Sequence, residues 1–298
     1  MSTLALTLVL ISAAMHAGWN LLGKRQAPSL AFFTLAMLAG GLLLSPLLLL
    51  DLRFMQLPAS FWWIWLASGL CQAVYMAGLA WAYARGEISV LYPLARALPV
   101  LLVPAFSLIM LDRLNISTQD WFGMALILLA SLLLPLMHLR DFRPSVYLTP
   151  ALGFILLAAL GTVGYSLLDK AAIDLMTDSG QSAVLAGTHY MILQAGAALI
   201  WMLPMVWLIP QERLVLRQLL SSSPIPFIIA GIMVLCTYGL VLVAMAFTTE
   251  VSYLVALRQA SIPIGALLGI FWLKETTSPL KWGALTIMLL GLLLVALN

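Results

Sequence analysis

The sequence predicts an all-α membrane protein of ten transmembrane helices, arranged as two inverted five-helix repeats around a central cavity. Three observations predict it: a composition that no soluble fold carries, ten long apolar runs, and a set of residues that recurs between the two halves of the chain.

Of 298 residues, 63% are hydrophobic and only 8% charged. A soluble domain carries about a quarter charged residues, because it must coat its own surface with polar groups. Lipid removes that need but supplies no backbone hydrogen bonds, so only helices or a closed barrel can span it. The apolar runs, such as Leu98–Leu111 and Ala284–Leu297, are long and do not alternate, which selects helices over barrel strands. The net charge of +3 is dispersed, which argues against a nucleic-acid partner. Cys71 and Cys236 both fall inside apolar segments, where the expected role is small buried hydrophobe rather than disulfide. The N-terminus lacks the basic start and small-residue cleavage site of a signal peptide, so residues 3–23 are expected to be a retained first span.

A span needs about 20 mostly apolar residues. Breaks at charges, prolines and polar clusters give spans over residues 3–23, 30–50, 60–84, 88–111, 119–137, 147–170, 183–209, 225–248, 251–273 and 280–297. Trp62, Trp63, Trp121, Trp272 and Trp282 stand near segment ends, as interfacial aromatics do. The connectors are short, and none could hold a soluble catalytic domain.

The halves echo each other. Gly18-Trp19-Asn20-Leu21-Leu22-Gly23-Lys24 in span 1 parallels Gly164-Tyr165-Ser166-Leu167-Leu168-Asp169-Lys170 in span 6. Tyr75, Glu87 and Ser89 recur as Tyr238, Glu250 and Ser252, and Arg96 as Arg258 one residue out of register. Asp112-Arg113-Leu114 followed by Trp121-Phe122-Gly123 is echoed by Lys274-Glu275-Thr276 followed by Trp282-Gly283. Several matches in one order argue for duplication. Because five spans is an odd number, the second copy enters the membrane from the opposite side. The chain therefore divides into repeats over residues 1–138 and 147–298, forming one integral membrane unit of the architecture many secondary transporters use.

This pattern resembles the drug/metabolite transporter superfamily, in particular its EamA-like branch. The best local marks are Leu111-Asp112-Arg113-Leu114 leading into Trp121–Ala130, and Leu273-Lys274-Glu275-Thr276 leading into Trp282–Leu290. The resemblance covers essentially the whole chain and says almost nothing about cargo. It implies a bacterial inner-membrane permease whose cavity is built by helices 1, 3, 4, 6, 8 and 9.

Ionisable groups inside a membrane are costly and are functional candidates by default. Arg96 is eight residues into span 4 and Arg258 seven into span 9, about 10–12 Å from their helix starts. Two forked, fixed positive charges suit a carboxylate, phosphate or phosphonate. The alternative is structural, each arginine binding helix-end carbonyls or Glu87 or Glu250. Pro93, Pro99 and Pro104 in span 4 and Pro263 in span 9 free carbonyls near both arginines. His16, Trp19, Asn20 and Gly23 share one face of span 1, opposite Thr162, Tyr165, Ser166 and Asp169 of span 6. Trp19 and Tyr165 are either ligand-stacking or packing aromatics. Gln72, Tyr75, Tyr92, Tyr238 and His189 complete the polar candidates. Small multidrug relatives of the superfamily use an acid in their first helix to bind cations. Span 1 has only His16 there, which turns the expectation from cationic drugs toward anionic or zwitterionic metabolites and leaves His16 as a candidate proton carrier.

The sequence thus leads to a secondary transporter, acting as a monomer in the lipid bilayer by alternating access on an amino acid, carboxylate, phosphate or phosphonate ester. An exporter of amphipathic drugs or a non-transporting scaffold or receptor are the alternatives. Three histidines and two cysteines form no catalytic or metal constellation, so no enzyme, metal or cofactor is expected. Orientation is a conflict. Lys24, Arg25, Arg85, Arg140, Arg143, Arg213, Arg217, Lys274 and Lys281 fall on one side of the membrane, against Arg53, Arg113 and Lys170 on the other. The positive-inside rule therefore puts both termini outside, whereas the resemblance implies termini in the cytoplasm.

Overall fold

The structure, a computed structural model, describes residues 3–23, 29–85, 88–111, 116–248, 250–271, 274 and 277–297. Of residues 18–23, 88–90, 92, 109–111, 144 and 146 it describes the backbone alone. The described residues form thirteen α-helices joined by turns and short 3-10 segments, and no strands. In chain order these are α1 (Thr3–Gly23), α2 (Leu30–Leu44), α3 (Ala59–Tyr83), α4 (Ile88–Leu111), α5 (Thr118–Leu133), α6 (Pro144–Tyr147) and α7 (Ala151–Asp178). They continue with α8 (Ala183–Leu208), α9 (Pro210–Leu220), α10 (Ile225–Met245), α11 (Val251–Leu257), α12 (Ser261–Phe271) and α13 (Pro279–Ala296).

Among the described residues, seven segments are long and apolar enough to cross a membrane: residues Leu30–Leu50, α3, α7, α8, α10, Val251–Phe271 and α13. Large apolar side chains point outward along them, among them Leu42, Leu43, Trp63, Ile200, Leu203, Trp207, Leu289 and Leu293, each more than 40% exposed. In water such a surface would be an extended apolar patch; against lipid it is solvated.

Serine side chains start several helices by accepting backbone N–H groups that a helix cannot satisfy itself. Ser29 accepts from Phe32 N at 3.1 Å at the head of α2, and Ser182 accepts from Leu185 N at 3.3 Å at the head of α8. Ser117 and Asp120 form a reciprocal capping box on α5, and Ser278 caps α13 through Lys281 N at 3.2 Å.

Where the helices end differently from the sequence expectation, local chemistry accounts for it. The α-helical part of span 2 stops at Leu44 and tightens to a 3-10 segment over Ser45–Leu50, since Pro46 cannot donate to the preceding turn. Span 5 ends at Leu133 rather than 137, two residues before Pro135. Span 6 begins at Ala151 and runs to Asp178, well past its expected end at 170, because Lys170 is neutralised one turn on by Asp174. Span 9 is not one helix: it is broken at a 3-10 turn over Arg258–Ala260. Pro263 has no N–H to offer the carbonyl four residues back, that of Gln259, so the break falls where the ladder is interrupted.

Helix α9 is a separate, strongly amphipathic piece with Pro210 in its first turn. Its Glu212 is buried, 7% exposed, and its carboxylate accepts from Ala31 N at 2.9 Å and from Trp81 Nε1 at 3.2 Å. It therefore acts as a second cap on α2, delivered from another helix, and ties α2 to α3.

Small residues let the helices approach to backbone contact. Helix α3 lies along α7 and α8, α10 along α1 and α2, α4 along α7 and α5, α12 on α1, and α5 on α13. A Cβ placed on Gly40 of α2 would stand 2.7 Å from the carbonyl of Gly231 in α10. One on Gly78 of α3 would stand 2.7 Å from Phe154 O in α7. Gly123 of α5 and Gly291 of α13 are reciprocal: each Cβ would meet the other's carbonyl oxygen, at 2.8 and 2.6 Å.

Candidate functional site

A narrow space lies between α3, α4, α7 and the α11–α12 break, lined by Tyr75, Ala95, Arg96, Pro99, Thr162, Tyr165, Val255, Arg258 and Gln259. At its core it is wide enough for about one water molecule, so the site is nearly closed in this conformation. The two membrane arginines singled out by the sequence thus share one small space, although 162 residues separate them.

Arg96 sits on α4 between Pro93 and Pro99, and is 9% exposed. Its Nη2 donates to the backbone carbonyl of Arg258 and to Ser261 Oγ, both at 3.1 Å, while its buried Nε has no hydrogen-bond partner. The carbonyl it takes belongs to the 3-10 turn over Arg258–Ala260 and also accepts from Ser261 Oγ at 3.0 Å, so Arg96 ties α4 to the break ahead of α12. Of the two readings of Arg96, the helix-end carbonyl is its partner in this closed form; Glu87 lies outside the described residues. Arg258 places its guanidinium over the face of Tyr238, 5.3 Å from the ring centroid, and in hydrogen-bonding range of Tyr165. Tyr75, Tyr165 and Tyr238 form a chain of edge-to-face contacts with centroids 5.6 and 5.7 Å apart.

Other buried polar atoms on these helices and in the 3-10 turn are left open. Gln259 donates through Nε2 to Val255 O at 2.8 Å, but its Oε1 is unpartnered. Gln72 Oε1 and Ser166 Oγ are likewise buried without partners. Thr162 satisfies its hydroxyl within its own helix at Ala158 O, 3.0 Å. Buried polar groups are almost always paired in folded proteins, so the open Arg96 Nε and Gln259 Oε1 in the lining are where a water or ligand atom would find a partner.

His16, on α1, is within electrostatic reach of both guanidiniums. The side chains of Trp19, Asn20 and Tyr92, three further sequence candidates, lie outside the described residues. His189 is placed elsewhere: its Nε2 meets Leu47 O at 3.2 Å and its ring packs edge-on against Phe54 at 5.6 Å. Its Nδ1 is buried without a partner, and no contact joins it to the arginine pair.

Next to the arginines lies a buried acid whose partners the sequence does not mark. Asp169 of α7 is completely buried, and its carboxylate accepts from Ser68 Oγ of α3, from Tyr190 OH of α8 at 2.8 Å and from Tyr238 OH of α10. Asp169 stands one turn beyond Tyr165 on the same face, a spacing visible in the sequence. Tyr190 and Ser68 carry no such signal; only the crossing of α3, α7 and α8 brings them in. Asp169 closes a network that links Arg258 through Tyr238 to helices of both halves.

Fold and site together define a helical protein with several segments able to cross a membrane, and a closed, doubly cationic cavity among them. No family model and no curated protein matches the sequence. The fold is similar to that in a crystal structure of another protein, with TM-score 0.65 over 98% of this chain and 97% of that one, at 17% sequence identity. At such identity the likeness concerns the fold alone.

Proposed function

We propose that the chain is a secondary transporter of a small anionic or zwitterionic metabolite, working by alternating access in a bacterial inner membrane. The observation that carries the reading is that Arg96 and Arg258 line one occluded cavity beside an interrupted helix. Interrupted helices around a charged midplane site are how transporters coordinate ions and anionic cargo without losing their own backbone bonds. The unpartnered Arg96 Nε and Gln259 Oε1 offer a donor for an acid group and an acceptor for an ammonium.

The reading takes α1–α5 as the first five spans and α7, α8, α10, α11–α12 and α13 as the second five, in repeats over residues 1–138 and 147–298. Helix pairing supports it. Exchanging the two sets turns the α3–α7 contact into α10–α1, α3–α8 into α10–α2, and α4–α7 into α12–α1, all of which occur. The serine caps of α2 and α8, and of α5 and α13, fall on equivalent helices. This is the architecture implied by resemblance to the EamA-like branch of the drug/metabolite transporter superfamily, and membership there is part of the proposal. A monomer suffices, since the cavity is lined from one chain.

Uptake of carboxylates, phosphates, phosphonates and amino acids into vesicles holding the purified chain tests the reading. Arg96→Ala and Arg258→Ala are expected to abolish transport of the accepted anion. If both variants fold and carry every candidate anion at the wild-type rate, the assignment is wrong.

A further inference from the structure

Nothing in holding an anion between Arg96 and Arg258 requires Asp169, yet three helices besides its own spend a hydroxyl on it. Ser68 and Tyr190 donate to Oδ1 and Tyr238 to Oδ2, while the face of Tyr238 carries the Arg258 guanidinium at 5.3 Å. One tyrosine therefore touches the buried acid with its hydroxyl and a cavity cation with its ring. The groups that face Asp169 from the packed elements are Ser68 and Cys71 of α3, Tyr190 of α8, Tyr238 of α10 and Arg258 of the 3-10 turn. Farther out, around the two guanidiniums, stand Tyr165, Tyr75 and His16. Among the described residues at this level the fixed charges are two guanidiniums and one carboxylate, which leaves one net positive charge to be matched.

We propose that Asp169 is the residue that sets how much negative charge the cargo brings. With its carboxylate ionised, the site is neutralised by a monoanion or by a zwitterion of net charge minus one. With a proton on the carboxylate, the same site presents two uncompensated guanidiniums and takes a dianion, so a doubly charged cargo enters together with one proton. The cost of an unmatched charge away from water makes this discrimination steep. The inference rests on the reading of the two arginines as the cargo site.

Methanesulfonate and methanedisulfonate test it, because their charges of one and two stay fixed through the neutral and mildly acidic range. Binding of each is measured by thermal shift on the full chain in detergent, as a function of pH. Wild type is expected to favour the monosulfonate in mild alkali and to gain affinity for the disulfonate as pH falls. Asp169→Asn is expected to favour the disulfonate about tenfold more than wild type does, the order given by a unit charge roughly 10 Å away at an effective dielectric of about 20. Its preference should no longer follow pH. Tyr238→Phe, which keeps every charge and removes one donor to the carboxylate, should move the changeover to higher pH, and it serves if the asparagine variant does not fold. If wild type binds neither sulfonate, the arginine site itself is wrong. If wild type binds both and Asp169→Asn leaves their ratio and its pH dependence unchanged, or Tyr238→Phe leaves the changeover in place, the charge-setting role is overturned while the arginine site stands. Loss of the pH dependence in His16→Gln, with Asp169→Asn retaining it, would put the proton on His16 and overturn the proposal as well.

Discussion

Replacing Glu212 by alanine removes the contact that fastens α9 to the rest of the molecule. Two hydrogen bonds to a buried carboxylate go, from Ala31 N at 2.9 Å and Trp81 Nε1 at 3.2 Å. Hydrogen bonds to a charged group contribute about 1.5–3 kcal/mol each, and a buried donor stranded without a partner costs about 1–3 kcal/mol. Ala31 is completely buried, so its N–H keeps no access to water, whereas Trp81 is only partly buried and can recruit some. The favourable interaction of the carboxylate with the head of α2 is lost too, worth about 0.3–1 kcal/mol. Offset by the desolvation cost that the buried carboxylate no longer carries, these leave a net of about 3 kcal/mol for Glu212→Ala. Glu212→Gln keeps one acceptor for Ala31 and should cost about 1 kcal/mol. Thermal unfolding in detergent, followed by circular dichroism, reads the difference as a drop in midpoint of roughly 6–12 °C for alanine and roughly 2–4 °C for glutamine. An alanine variant that melts within about 1 °C of wild type would refute the view that α9 is clamped through this carboxylate.

Gly40→Ala should destabilise by about 1–3 kcal/mol, since the new Cβ meets the Gly231 carbonyl at 2.7 Å and α2 and α10 must part; Gly41→Ala, whose Cβ would meet only Ala195 Cβ at 3.8 Å, is the matched control and should be near neutral in the same melt. Ser117→Ala should cost about 1 kcal/mol by opening the capping box on α5, read as a lower midpoint. Hydrogen exchange should report on the clasp between the 51–53 loop and the α7–α8 turn, where Arg53 binds Asp51 and donates to Gly180 O at 2.6 Å. The Arg53 side-chain hydrogen bond holds the Asp51 carboxyl below its ordinary range. The clasp is therefore at full strength above that range and weakens as pH falls through the depressed value, so protection of the loop amides, taken relative to the intrinsic exchange rate at each pH, should fall in acid and hold in mild alkali. A periplasm-active enzyme reporter fused after Asn298 should be active and a cytoplasm-active fluorophore there dark, as the nine-to-three charge bias demands; the reverse pattern would overturn that orientation.

Helix existence was readable because apolar length is a one-dimensional quantity, and the α4 boundaries of 88 and 111 follow from it directly. Ends set by compensation were not. Lys170 reads as a stop until Asp174 is seen to neutralise it, and Glu212 reads as a polar connector until Ala31 and Trp81 are brought to it. In the site, Arg96, Arg258, Tyr75 and Tyr165 were legible because charge and aromatic polarity within apolar runs are conspicuous. Ser68 and Tyr190 were not, for a serine and a tyrosine in a membrane helix acquire meaning only from the acid across the helix crossing. The direction in which Arg96 points, to the Arg258 carbonyl in the 3-10 turn, needed the three-dimensional arrangement as well.

The reciprocal contact of Gly123 and Gly291 bears on how the sequence can drift. At an ordinary core contact a larger residue on one side is accommodated by a smaller one on the other, so both positions wander together over generations. Here each side meets the other's main-chain oxygen, at 2.8 and 2.6 Å, and no substitution makes a carbonyl smaller. Compensation is closed in both directions. The two positions should therefore stay glycine in every descendant that keeps α5 against α13, however far the rest of the chain diverges. An alignment of distant relatives could be anchored on this pair when side-chain similarity has faded.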